Sequence, residues 1–290
     1  MTTDHAQPDD VQNESYVLDT ESGAEMARLM RQDQLITRGM GGIFPEKPDL
    51  SDIHDILDLA CGPGGWVIET AFAYPHVRVV GVDISEKMIA YARAQAKVQR
   101  LPNTTFEVMN ILQPLNFSDA SFDLVNERFI VGFMQQKRWP QLVRESLRVL
   151  RPGGILRFTE VELGFSNKTS FEKAWWLILQ AMQKNGLGFS PHGLHFSIFP
   201  MLPRFFRDAG VENIEKMAHV VDFSAGSEAN DGFYYDFANA FLALEPFIEK
   251  SGLVSLEEWR AIAQRGLAEM LEDDFCAVWM LMTVWGNKPN

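Results

Sequence analysis

The stretch Ile56–Trp66, reading Ile-Leu-Asp-Leu-Ala-Cys-Gly-Pro-Gly-Gly-Trp, restricts this chain more than any other. Ile56, Leu57 and Leu59 form a short apolar run with Asp58 set into it, and the run breaks into Gly62, Pro63, Gly64 and Gly65. An apolar run bounded by turn residues reads as a buried strand. Trp66, Val67, Ile68, Ala71 and Phe72 then recur at helical spacing, so a helix follows. Strand, glycine turn and helix together present bare backbone N–H groups and the positive end of a helix dipole to a ligand. Glycine is required there because a β-carbon would block the close approach of the backbone. The turn therefore reads as the site of a nucleotide-like cofactor.

A second apolar run, Val79, Val80, Gly81 and Val82, ends in Asp83 about twenty residues after the glycines. That distance fits a βαβ unit whose second strand ends in an acid that accepts hydrogen bonds from ribose hydroxyls. Dehydrogenases and methyltransferases share this pair, so it does not decide between them. The dinucleotide pattern G-x-G-x-x-G fails here, because counting from Gly62 and Gly64 the sixth position is Val67.

Here the chain resembles the class I S-adenosylmethionine-dependent methyltransferases. Their first strand runs into an acid-x-Gly-x-Gly-x-Gly loop, and Asp58, Ala60, Gly62 and Gly64 stand on those positions. Alanine at the first glycine adds one methyl group and narrows the tolerated backbone angles. Asp83-Ile84-Ser85 with Met88-Ile89 is similar to the ribose-binding acid and the next helix. Phe106–Asn110 is similar to the third strand with its adenine-contacting residue, Phe122–Val125 to the fourth strand, and Leu147–Gly154 to the helix end and turn before the fifth. The last run has no counterpart in dehydrogenases. Asn110 departs from the aspartate common in the family; its amide oxygen still accepts a hydrogen bond, without charge.

The resemblance implies S-adenosylmethionine as cofactor. It assigns cofactor contacts to Asp58, Ala60, Gly62, Gly64, Asp83, Ile84, Met88, Asn110, Ile111, Leu112 and Asn126. Arg38, a lone arginine before Gly39, Gly41 and Gly42, is placed to pair with the carboxylate of the cofactor through its fork of donors.

Strands expected at Ile53–Leu59, Val77–Val82, Thr105–Val108, Phe122–Glu127 and Gly154–Val161 alternate with helices, which gives a parallel sheet covered on both faces. Val211–Phe223 reads as a sixth strand and Phe275–Trp285 as an antiparallel seventh. The fold class is thus α/β: a seven-stranded, mostly parallel Rossmann-like sheet with an antiparallel edge strand and helices on both faces. Residues 1–15 read as a disordered tail and 16–50 as N-terminal lid helices. Residues 51–290 form the main domain, with helical cap insertions at about 165–199 and 226–274. Asp58–Gly64, Asp83, Asn110–Leu112 and Asn126–Arg128 all fall at strand C-termini and are expected to converge on one crevice.

A chain of 290 residues with 46% hydrophobic residues can bury a full core. Its 39 acids against 26 bases, a formal charge of −13, oppose attraction to phosphate backbones and anionic membranes, so neither nucleic acid nor a membrane is expected as partner. The two cysteines, Cys61 and Cys276, are too few for a disulfide framework. No run suits a bilayer span and the start lacks a signal-peptide pattern, so a cytoplasmic location is expected. A homodimer is compatible with such a chain.

Methyl transfer from a sulfonium is an in-line displacement that needs alignment and exclusion of water; a base helps when the acceptor is a phenol or an amine. His192 and His195, in the loop after the first insertion, are the candidate bases. Without a third ligand they do not read as a metal site. Glu160 and Glu162 end strand five, and one of them is expected to reach the crevice. Tyr16, Arg128, Phe129, Phe133, Trp175 and Tyr234 are the candidate substrate contacts, for a chamber rich in aromatic residues suits a small, mainly apolar acceptor. Oxygen is the favoured acceptor atom, on the strength of the histidine loop. A cofactor-binding module without turnover and an NAD-dependent oxidoreductase stand as alternatives.

Overall fold

The computed structural model describes residues 23–46 and 50–290, so the expected tail, residues 1–15, and Tyr16 lie outside the described residues. Seven strands form one sheet in the order β3-β2-β1-β4-β5-β7-β6. They are β1 (Asp55–Leu59), β2 (Arg78–Asp83), β3 (Thr104–Val108), β4 (Phe122–Arg128), β5 (Leu150–Ser166), β6 (Glu212–Asp222) and β7 (Ala277–Asn287). β1 pairs in parallel with both β2 and β4, so the chain reverses its direction of winding between β1 and β4. That switch opens a crevice beyond the C-terminal ends of these two strands.

Alternation along each strand divides the core between the two faces. Ile56, Val79, Leu124 and Ile155 pack with Trp66, Val67, Ile68 and Ala71 of α2 (Gly65–Ala73) and with Ile89, Ala92 and Ala96 of α3 (Glu86–Val98). Leu57, Leu59, Val80, Val82, Val125 and Phe158 face the other way. They meet α4 (Trp139–Val149), α5 (Thr169–Lys184) and α6 (Ile198–Asp208). Both faces are covered, which is why β1 after its half-buried first residue, Asp55, is apolar apart from Asp58.

The antiparallel strand is β7, and it lies inside the sheet between β5 and β6; the edge is β6. Burial on both sides explains the apolar run of β7, whereas exposed Glu212, Glu215 and Lys216 mark β6 as an edge that resists pairing with another chain. β5 runs longer than expected because β7 continues to pair with it past a register shift after Val161, through Gly164 to Ser166. The second insertion contains α7 (Asn230–Ala243), α8 (Glu245–Ser251) and α9 (Leu256–Glu269), the last started by a capping box of Ser255 and Glu258. The N-terminal helix α1 (Gly23–Gly39) packs on α2, α7 and β6. Among the described residues no helix is long and apolar enough to cross a membrane.

Candidate active site

A cavity of about 1040 Å³ opens at the switch point, walled by the tips of β1, β2, β3 and β4, by the inner face of α1, and by α5 and α7. At its floor the glycine turn is locked to the second strand. The N–H of Cys61 donates to the Val82 carbonyl (2.9 Å) and the N–H of Gly62 to Asp83 Oδ2 (3.0 Å). Asp83 Oδ1 accepts from the N–H of Ser85 (2.9 Å), whose own hydroxyl caps α3 by accepting from the N–H of Met88. Burial pushes the Asp83 carboxyl up, against the pull of these N–H groups. Gly64 must be glycine, because at φ 84° a β-carbon would lie 2.8 Å from both Ala92 and Phe106. At Gly62 a β-carbon would meet nothing within 4 Å, so that side of the turn is open to the cavity.

Asp58 begins a polar ladder across three neighbouring strands. It sits opposite Asn126, which sits opposite Arg157. Asn126 Nδ2 donates to Asp58 Oδ1 (2.7 Å), Arg157 Nη1 donates to Asn126 Oδ1 (2.7 Å), and Arg157 pairs with Glu46. Desolvation pushes the Asp58 carboxyl up to about 7, opposed by the Asn126 hydrogen bond. Asp58 lines the cavity; Asn126, expected as a cofactor contact, lies behind it, fully buried and outside the lining.

The inner face of α1 is polar where it crosses the strand tips. Arg28 donates to Glu25 and to Asp236 Oδ1 of α7 (2.6 Å), and Gln32 Nε2 donates to Asp236 Oδ2 (2.8 Å). One turn on, Asp33 Oδ1 stands 3.3 Å from Arg128 Nη2, and Arg128 Nη1 donates to Thr37 Oγ1 (3.0 Å). Arg28, Gln32, Asp33 and Asp236 were not singled out by the sequence reading. Their signal was there: polar residues at helical spacing beside Leu29 and Ile36, on the stripe that should be apolar.

Beyond Arg128 the walls turn apolar, with Phe129, Phe133, Met134, Val161, Trp175 and Phe237. Trp175 meets Phe237 edge-on at 5.5 Å and Trp279 at 6.0 Å. The expected contacts Ala60, Gly62, Asp83, Ile84, Met88, Asn110, Ile111 and Leu112 line the cavity with Asp58, and Arg128, Phe129, Phe133 and Trp175 line it too. The Asn110 amide oxygen already accepts from the N–H of Leu112 (2.9 Å).

Other expected contacts lie elsewhere. Gly64 is in the turn but packs away from the cavity. Arg38 is exposed, 3.9 Å from exposed Glu228. Tyr234 packs edge-on against Tyr235, because α7 turns Asp236, Phe237, Ala240, Phe241 and Leu244 inward instead. His192 and His195 are exposed and outside the lining. The loop is pinned with Phe196 inward: Glu162 accepts from the N–H groups of Phe196 (2.8 Å) and Ile198 (2.9 Å), and Gln180 holds the carbonyls of His192 and Gly193. His195 is left to contact Ser197 Oγ through Nδ1 (2.7 Å).

Glu162 is thus a loop anchor, and Glu160, fully buried, accepts from the N–H groups of Ile130 (2.8 Å) and Val131 (3.0 Å); only Val161 between them lines the cavity. Burial pushes both Glu127 and Glu160 up, and the neighbouring Glu160 carboxyl pushes Glu127 further. Cys61 packs under the turn against Gly81, and burial pushes its thiol up, away from a reactive thiolate.

The residues present fit S-adenosylmethionine. Asp83 offers acceptors where a ribose would lie, and the Asn110–Leu112 loop offers polar backbone beside it. Buried Asp33 Oδ2, Arg128 Nε and Arg128 Nη2 have no hydrogen-bond partner among the described residues. Asp33 Oδ2 lies beside Gly65 at the start of α2, and the charges of Asp33 and Arg128 both act on Asp58.

A sequence profile described as a methyltransferase domain matches residues 56–154. A "Probable methyltransferase ltbC" of Aspergillus luteorubrus is 30% identical over 193 residues, 64% of this chain and 65% of that one. A demethylmenaquinone methyltransferase of Lactococcus lactis is 35% identical over 100 residues, 34% of this chain and 38% of that one. The aligned parts thus span less than two thirds of these curated relatives. Phosphoethanolamine N-methyltransferase 2 of Haemonchus contortus, solved with S-adenosyl-L-methionine, shares the fold. Its TM-score is 0.55 at 16% identity, covering 94% of this chain and 58% of that one. The matched segment runs from β1 to the turn that opens β5, and so contains the glycine turn, Asp83 and the Asn110 loop. With S-adenosylmethionine as the cofactor those elements would hold, residues 56–154 match a methyltransferase domain, and the chain is similar in sequence and fold to the class I S-adenosylmethionine-dependent methyltransferases.

Proposed function

We propose that the protein transfers the methyl group of S-adenosylmethionine to a small, mainly apolar acceptor. The observation that carries this is the continuity of the cavity: one end is cradled by the glycine turn and Asp83, the other is an aromatic chamber, and no wall divides them. When bound, the cofactor supplies a methyl group already activated by a sulfonium. The chamber's residues supply alignment and dryness. Phe129, Phe133, Trp175 and Phe237 exclude water and fix a flat or greasy acceptor against the strand tips. The demethylmenaquinone methyltransferase among the relatives supports a small-molecule acceptor.

The oxygen preference needs a new footing, since the histidine loop stands outside the cavity. Among the described residues lining the acceptor end, the charged pair is Arg28 with Asp236, and each occupies the other. A chamber without an unpaired base suits an acceptor that ionises in water, such as an acidic hydroxyl or a carboxyl.

Two measurements test the reading. Calorimetry with S-adenosylhomocysteine should show binding. Transfer of a radiolabelled methyl group should then be followed across phenols, hydroxyquinones and apolar carboxylic acids, with amines as controls. Transfer to an acidic oxygen acceptor is expected. Binding without transfer to any acceptor or extract would instead make this a cofactor-binding module.

A further inference from the structure

The cavity wall contains a charge pair that is poorly made. Asp33 and Arg128 come from different elements, α1 and the tip of β4, and approach to 3.3 Å without forming a hydrogen bond. Arg128 spends one nitrogen on Thr37 and lays its guanidinium over the Phe129 ring at 4.6 Å. Its Nε and Nη2 are buried and have no partner among the described residues, and neither has Asp33 Oδ2. Buried polar atoms nearly always find a partner, and three orphans in one spot on a cavity wall call for an explanation. Burial lowers the Arg128 guanidinium and raises the Asp33 carboxyl, each only partly offset by the other.

The missing partners have a definite chemistry. Two adjacent N–H donors on a guanidinium are the complement of a carboxylate, and a bare carboxylate oxygen is the complement of an ammonium. A group carrying both, joined by one carbon, is a zwitterionic α-amino acid end. We propose that Asp33 and Arg128 receive the amino-acid end of the cofactor, Arg128 taking its carboxylate and Asp33 its ammonium. This rests on the function proposed above and adds the residues that fix the end of the cofactor opposite to the adenine.

Three features of the chain agree with it. Gly65 lies directly under Asp33, where a β-carbon would stand 2.6 Å from Oδ2, so the carboxylate is pressed against the start of α2. Asp58 and Glu69 also act on this spot; Arg157 and Arg38 offset those two, whereas the cation that acts on Asp33 itself is Arg128. Asp33 belongs to α1, and loading would therefore tie the helix over the strand tips.

The experiment compares two ligands in wild type, Asp33→Asn and Arg128→Lys by calorimetric competition. S-adenosylhomocysteine has the amino-acid end; 5′-methylthioadenosine keeps the adenosyl thioether and lacks it. Each variant should lose tenfold or more in affinity for S-adenosylhomocysteine and stay within about twofold for methylthioadenosine, with thermal melts confirming the fold. Arg128→Lys keeps the charge and removes the fork, so it reads the carboxylate half independently should Asp33→Asn not fold. An equal loss for both ligands would reduce the pair to a clamp on α1, and unchanged affinities would remove the assignment; either overturns the proposal. Failure of the wild type to bind S-adenosylhomocysteine would instead sink the proposed function itself.

Discussion

Ala60 occupies a left-handed backbone, φ 53°, at the first bend of the glycine turn. That region costs an L residue about 1–2 kcal/mol, and glycine avoids the cost. Ala60→Gly should relieve it, less the entropy glycine adds to the unfolded chain, for a net gain of up to about 1 kcal/mol in urea unfolding. A loss of stability would mean that the methyl group packs well enough to offset its strain. At the histidines the expected outcome is silence. His192→Ala and His195→Ala, each exposed and outside the cavity, should leave methyl transfer within about twofold of wild type. A fall of tenfold or more in either variant, with cofactor affinity intact, would bring the loop back into the chemistry. The sequence showed the turn, Asp83 and the Asn110 loop because each is a local pattern, a few residues long, at the end of an apolar run. It expected the histidines at the crevice, whereas they are exposed and outside its lining, because nothing local says which way a loop faces. Glu162, far from the loop in sequence, settles that by pinning Phe196 inward.

Among the elements, α1 is the one whose role the sequence concealed. Its apolar residues announced an amphipathic helix, yet the face it lays over the site carries Arg28, Gln32, Asp33 and Thr37. The partners of these residues are Asp236 and Arg128, 208 and about 90 positions away, and no periodicity reveals such pairings. The join of α1 to α7 rests on a buried cluster of Glu25, Arg28 and Asp236. Arg28→Met should remove about 3 kcal/mol or more in urea unfolding, because the Asp236 carboxylate is left buried without its cation. It should also raise hydrogen exchange across residues 23–39. Adding Asp236→Leu to that variant should restore part of the loss, since an apolar pair is tolerated where half an ion pair is not. If the double variant is the less stable by the full sum of both changes, the cluster is no coupled unit.

For the molecule as a whole, the buried carboxyls set the sign of its response to pH. Asp58 is pushed up to about 7 from an ordinary value of 3.8, and burial moves Asp33, Asp236, Glu127 and Glu160 the same way. A carboxyl raised in the folded state binds more protons there than in the unfolded chain. Its contribution is fully present below the unfolded pKa and is lost as pH climbs through the folded one. For Asp58 that window runs from about pH 4 to about pH 7, at about 1.4 kcal/mol per unit. A formal charge of −13 adds self-repulsion that grows in the same direction. His219, lowered by burial beside Thr283, opposes the trend as a single group. Without cofactor, urea unfolding should therefore show lower stability at pH 7.5 than at pH 5.5. Asp58→Asn should flatten that slope by about 2 kcal/mol across the interval, because asparagine at this place needs no proton to be neutral. Parallel pH profiles for wild type and variant would show that Asp58 ionises as freely in the fold as in the open chain. The desolvation of the β1 tip would then be relieved by something other than the ladder of Asn126 and Arg157.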